Sequence, residues 1–155
     1  IVVIIKTQFR QNTPAVMFKG DKIIESAKAT GRFVELFHGK HRNMVFPAEA
    51  AMAADLVIGH CVGSTAGLEA ALSGSRCILL NPYDMQGSNI EIFKQAGILY
   101  DNMDSALSAI SFFRQDKPEY RNLGVWSSII NLFDPFQDRK SAIRLRELLE
   151  EKILA

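Results

Sequence analysis

The chain has 155 residues, 48% of them hydrophobic and 23% charged, with a formal net charge of +1. That length suffices for one domain with a sizeable core, and so small a net charge excludes a strong field for nucleic acid or acidic lipid. Cys61 and Cys77 lie too far apart for a Cys-x-x-Cys redox or zinc motif, and no apolar run approaches the ~20 residues of a membrane span.

The opening run IVVIIKT is β-branched and apolar at both alternating phases, which predicts a strand buried on both faces. It has no Met and no basic start, so no signal peptide is read, and an upstream domain is expected. GDKIIESAKATG predicts a helix with Gly31 as its stop. RFVELF predicts a second strand, PAEAAMAA a short helix begun by Pro47, and DLVIGH a third strand. A helix over 64–73 follows, then the strand RCILLN, the helix NIEIFKQAG and the short strand ILY. Strands alternating with helices at this spacing predict an α/β fold with a mainly parallel sheet and helices on both faces.

DSALSAISFFR predicts a further helix, and the aromatic, irregular YRNLGVWSSIINLFDPF is expected to pack over an edge of the sheet. DRKSAIRLRELLEEKIL predicts an amphipathic helix with Asp138 as N-cap and Ala142, Leu145, Leu148, Leu149 and Ile153 on one face. The two cysteines are expected as small buried hydrophobes in a reducing compartment.

The loop between DLVIGH and the 64–73 helix carries the chemistry. In an open α/β sheet, ligands bind outside the carboxyl ends of the strands. Small residues there let the backbone approach a ligand, and the helix start offers unpaired N–H groups to an anion. Ser64 and Thr65 add hydroxyls. Glu69 lies ~7.5 Å further along the helix axis, and helical side chains lean back toward the N-terminus. Its carboxylate suits sugar hydroxyls, so phosphate on the helix start and ribose on Glu69 together describe a nucleotide. Neither a Walker lysine nor Rossmann glycine spacing is present. The alternative is a plain strand–helix turn, with Ser64 as N-cap and Glu69 solvated.

The stretch AAMAADLVIGHCVGSTAGLEAALSGSRCILLNPYDMQGSN resembles the nucleotide-sugar-binding half of GT-B glycosyltransferases of the bacterial polysaccharide type. The resemblance implies a Rossmann-like three-layer α/β/α domain over 1–155, the C-terminal half of a two-domain protein. It implies that Gly63, Ser64 and Thr65 hold the diphosphate, Glu69 the ribose, and the backbone at Phe46 and Pro47 the base edge. Asp84, Gln86 and Asn89 resemble an Asp-Gln-x-x-Asn sugar-hydroxyl pattern, interrupted here by Met85. Cys61 stands where retaining relatives often carry a glutamate, and Arg139 where a glycine is usual in the closing segment.

His60 fits a phosphate or sugar contact and equally a loop-packing residue. Lys6 and Arg10 are candidate cations beside the phosphates or solvated charges. His38, Lys40, His41 and Arg42 form a basic lip or a plain solvated loop, without the carboxylate or cysteine of a metal site.

The function so implied is donor binding in the transfer of a sugar from a nucleoside-diphosphate sugar to a glycan or lipid-linked acceptor. The base would come from the missing N-terminal acceptor domain. No cofactor, metal or nucleic acid is expected. A cytoplasmic location, peripheral membrane association and self-association are expected. The alternatives are a sugar-nucleotide epimerase of the same fold, with Asp84 and His60 as its acid–base candidates, and a non-catalytic nucleotide-sugar-binding or interaction domain that kept the fold and lost the donor.

Overall fold

The computed structural model describes residues 1–6, 21–36 and 45–154. Five strands and six helices alternate through them: β1 (Val3–Lys6), α1 (Asp21–Ala29), β2 (Phe33–Leu36), α2 (Pro47–Met52), β3 (Val57–His60), α3 (Thr65–Leu72), β4 (Cys77–Leu80), α4 (Ser88–Gln95), β5 (Leu99–Tyr100), α5 (Met103–Arg114) and α6 (Ser141–Leu154). All the strand pairs are parallel, so the fold is α/β, as the alternation predicts. The described strands form two sheets, however, in the orders β1–β2 and β3–β4–β5. Residues 7–20, between β1 and α1, and residues 37–44, between β2 and α2, lie outside the described residues.

β4 is the spine of the core, because its residues are apolar on both faces. Cys77 and Leu79 face one cluster with Ala51 of α2, Ala70 and Ala71 of α3, Phe93 of α4, Ile98 and Trp126. Ile78 faces the other, with Ala106 and Ala109 of α5 and Leu123. A strand buried on both sides needs this unbroken apolar run rather than alternation. α3 comes close to the sheet because Gly59 and Gly67 leave room: a Cβ on Gly67 would stand 2.7 Å from Leu79 Cδ2.

The aromatic segment after α5 does pack over a sheet edge, with an added role. β5 is two residues long and reaches only the upper half of β4. Below it, the Gly124 carbonyl accepts the Cys77 amide (2.8 Å) and Trp126 Nε1 donates to the Cys77 carbonyl (2.8 Å). Both groups would otherwise be buried without partners. Gly124 is required there twice over: its φ is +68°, and a Cβ would meet Leu56 Cδ1 at 2.8 Å and Cys77 N at 2.9 Å. Trp126, Phe93 and Phe133 complete the packing, with ring centroids 5.4–6.0 Å apart.

The last helix begins later than its sequence pattern suggests, at Ser141. Asp138 is therefore not its N-cap. Arg139 sits in the left-handed region at φ +59°, which stops the helix from extending back. Asp138 instead accepts the Lys140 amide (2.9 Å) and pairs with Arg144 (2.8 Å). The Arg144 hydrogen bonds, ahead of the Lys140 amide, hold its carboxyl below the ordinary value. Among the described residues, no helix is long and apolar enough to cross a membrane.

Candidate functional site

Two loops meet at the carboxyl ends of β3 and β4: residues 61–64, leading into α3, and residues 81–87, leading into α4. The ladder continues into the first, where the Cys61 amide donates to the Leu80 carbonyl (2.9 Å). Asn81 then ties the loops together. It is the one buried polar side chain among the described residues. Its Oδ1 accepts the Cys61 thiol (3.2 Å) and the Met85 amide (2.8 Å), and its Nδ2 donates to the Met85 carbonyl (3.1 Å). Buried amides persist where such bonds satisfy them. Outside the seam, the Tyr83 ring lies 5.7 Å from that of His60. Asn81 and Tyr83 are thus structural parts of this loop pair that the sequence reading left unassigned, and Cys61, expected as a small buried residue, is their link. Asn81-Pro82 reads locally only as a turn, and nothing in it shows that the amide points inward.

The first loop is built to leave donors open. Gly63 turns the chain at φ +64°, with nothing within 4 Å of a Cβ placed on it. Thr65 directs both its amide (2.7 Å) and its hydroxyl (3.3 Å) onto the Gly63 carbonyl. Ser64 stands at the N-cap position, yet its side chain makes no cap bond. The position is the one a plain turn gives it, without the side-chain bond. Among the described residues, the amides of Ser64, Ala66 and Gly67 have no acceptor. These are orphan donors at the positive end of a helix dipole.

His60 closes β3, and its Nδ1 accepts the Val62 amide (3.1 Å). In the neutral ring this bond leaves the proton on Nε2, so the free side of the imidazole is a donor. Glu69 is exposed on α3, without a partner among the described residues.

The second loop presents the sugar-pattern residues differently from one another. Asp84 adopts φ +48°, and Gln86 Nε2 donates back to its carboxylate (2.9 Å) and to its carbonyl (3.1 Å). The two side chains are turned toward each other. Asn89 is exposed in the first turn of α4, without a partner among the described residues. His60, Gly63, Ser64 and Thr65 share one loop region, and the Cys61–Asn81 link brings Asp84 and Gln86 beside it.

Phe46 precedes α2, with both backbone groups already used. Its amide donates to Glu49 (2.7 Å) and its carbonyl accepts Ala50 (3.0 Å). Lys6 ends β1 opposite Leu36, in the other sheet, and its side chain is outside the described part. Arg10, His38, Lys40, His41 and Arg42 also lie outside the described residues.

Both cysteines are buried and free, as expected of small hydrophobes. Burial pushes the Cys77 thiol up to about 12, so it is inert at neutral pH. Among the described residues no three His, Cys, Asp or Glu side chains are grouped to hold a metal ion. Compared with known proteins, the chain matches no family model, no curated protein and no solved structure.

Proposed function

We propose that the mouth formed by residues 60–65 and 81–87 binds a nucleoside-diphosphate sugar, and that the chain is the donor-binding half of a glycosyltransferase. The observation that carries the reading is the set of amides at Ser64, Ala66 and Gly67, one turn ahead of Glu69, all without partners among the described residues. Amides at a helix start bind phosphate oxygens, and a free carboxylate accepts from sugar hydroxyls. His60 Nε2–H adds a donor at the same rim. This half would stabilise the negative charge of the departing diphosphate. The base that deprotonates the acceptor would come from an acceptor domain, as the resemblance implies.

A single Rossmann-like sheet in the order β2–β1–β3–β4–β5 belongs to the same reading. β3 is an edge strand whose odd residues turn to β4, leaving the backbone groups of Ile58 and His60 outward. Ile58 on that edge and Val3 of β1 are both exposed apolar residues. An open edge of this kind is ordinarily covered in parallel sheets. The free cysteines fit a reducing, cytoplasmic compartment.

The test is calorimetric titration with a panel of nucleoside diphosphates, followed by product analysis with labelled sugar nucleotides. Binding that is lost in a folded Gly63→Val variant, with sugar transfer by the protein joined to its acceptor domain, supports the reading. Binding with inversion of a sugar centre and no transfer would establish the epimerase instead. No nucleotide binding at all would leave a non-catalytic domain.

A further inference from the structure

α6 carries an apolar stripe that no part of the described chain covers. At roughly 100° per residue, Ala142, Leu145, Leu148, Leu149 and Ile153 fall along one side of it. Leu145, Leu148 and Leu149 are 50–57% exposed and Ile153 is 79% exposed. Among the described residues, no other helix or strand packs substantially against α6. The contacts that hold its start are those of Arg144, with Asp138 and with the Phe136 ring (3.9 Å). A helix of 14 residues without tertiary cover is marginal in water, so the stripe calls for a partner surface.

The charges beside the stripe indicate which partner fits. On one flank Arg146 precedes Glu150, and the two exposed side chains also pair within the helix (3.5 Å); on the other Arg144, bound to Asp138, precedes Glu151. In both, the cation lies toward the N-terminus and the anion toward the C-terminus, and both pairs centre near Leu148. We propose that α6 pairs antiparallel with α6 of a second copy of this chain, about a two-fold axis passing near Leu148. That axis places Arg146 of one copy opposite Glu150 of the other, and Arg144 opposite Glu151, twice each. A parallel pairing would set arginine against arginine and glutamate against glutamate. The seam is Leu145, Leu148 and Leu149 from each copy, with Ala142 and Ile153 toward its ends. Lys152 enters the stripe near the C-terminus, where its aliphatic stem lies along the seam and its ammonium reaches water.

A membrane is a poorer match. The helix has three basic residues, Arg144, Arg146 and Lys152, and three acidic ones, Glu147, Glu150 and Glu151. Helices that lie on bilayers carry a basic polar face.

The test is sedimentation equilibrium of the 155-residue chain across a concentration series, without nucleotide, so that its outcome is independent of the proposed ligand. A monomer–dimer equilibrium is expected. Leu149→Glu replaces a half-exposed residue, so the fold should survive, and it should abolish the dimer. Arg146→Glu and Glu150→Arg should each weaken self-association by about tenfold, since each puts like charges in both symmetric contacts. An equimolar mixture of those two variants should restore it as a heterodimer, and so should the double variant in one chain. Three results would overturn the proposal: a monomer at every soluble concentration, a dimer indifferent to Leu149→Glu, or a mixture no tighter than its components. Wild-type chain that stays monomeric but binds phosphatidylserine vesicles would assign the stripe to a membrane instead.

Discussion

The two ends of β4 use similar residues for opposite purposes. At the amino end, Gly124 is pressed against Leu56 and Cys77, Trp126 spends its N–H on the Cys77 carbonyl, and Arg76 donates to the carbonyls of Arg121 (3.0 Å) and Leu123 (2.8 Å) while lying over the Phe113 ring. At the carboxyl end, Gly63 turns through empty space, Ser64 makes no side-chain cap bond, and the amides of Ala66 and Gly67 behind it have no acceptor among the described residues. One end is a tight backbone joint beside a cavity of about 370 Å³ lined in part by Arg76, Gly124 and Trp126, and the other is an open turn. The difference is measurable, because the closed end should govern stability and the open end ligand affinity.

The largest effect should come from Gly124→Val. It adds a side chain where a Cβ already collides with backbone, and forces a β-branched residue to positive φ. The expected loss is roughly 3–5 kcal/mol from overpacking and backbone strain together, read as a lowered urea midpoint. A variant as stable as the parent would show that the joint is not closed.

Trp126→Phe removes the N–H together with the rest of the five-membered ring, so a cavity beside Phe93 and Phe133 adds to the lost hydrogen bond. It leaves the Cys77 carbonyl buried without its donor, at a cost of about 1–3 kcal/mol. The same denaturation curve checks it, and unchanged nucleotide affinity would separate the two ends further.

Gly63→Ala places a small side chain in open space at positive φ. The stability cost should be about 1–2 kcal/mol, while nucleoside-diphosphate affinity falls by more than that if phosphates approach this turn. Calorimetry on the folded variant compares the two losses; a purely structural glycine would show the first without the second.

Glu69→Gln at the open end should leave stability unchanged within about 0.5 kcal/mol. It should weaken a ribonucleotide more than its 2′,3′-dideoxy analogue. Equal losses for both ligands would remove Glu69 from the ribose.

The smallest effect concerns Asp138. Its carboxyl is held below the ordinary 3.8 by Arg144 and the Lys140 amide. A depressed carboxyl contributes stability that is present above the unfolded value and lost as pH falls through the folded one. Asp138→Asn should therefore slightly lower the melting temperature at neutral pH and leave it unaffected in strong acid. A difference that persists in acid would point to a contact other than this charge pair.

Much of the fold was legible because its signals are local. The apolar run CILL, the stops at Gly31, Gly74 and Gly97, and the small-residue turn after VIGH each determine a strand, an ending or a handover without help from distant residues. The orphan helix start could be anticipated in the same way, since Gly63 and the residues around it are neighbours in sequence. Asp138 shows the limit even at short range: its type suits an N-cap, yet the positive φ of the next residue moves the helix start away from it.

What only the tertiary structure decided are the contacts between residues far apart in the chain. Asn81 reads as part of an Asn-Pro turn, but its side chain holds a thiol twenty positions earlier. Trp126 reads as an aromatic in a loop, but it completes the hydrogen bonding of β4 across a gap of forty-nine. Propensity and period describe what a segment can form. Which buried amide or carbonyl lacks a partner depends on the segment that folding brings beside it, and so on the whole chain.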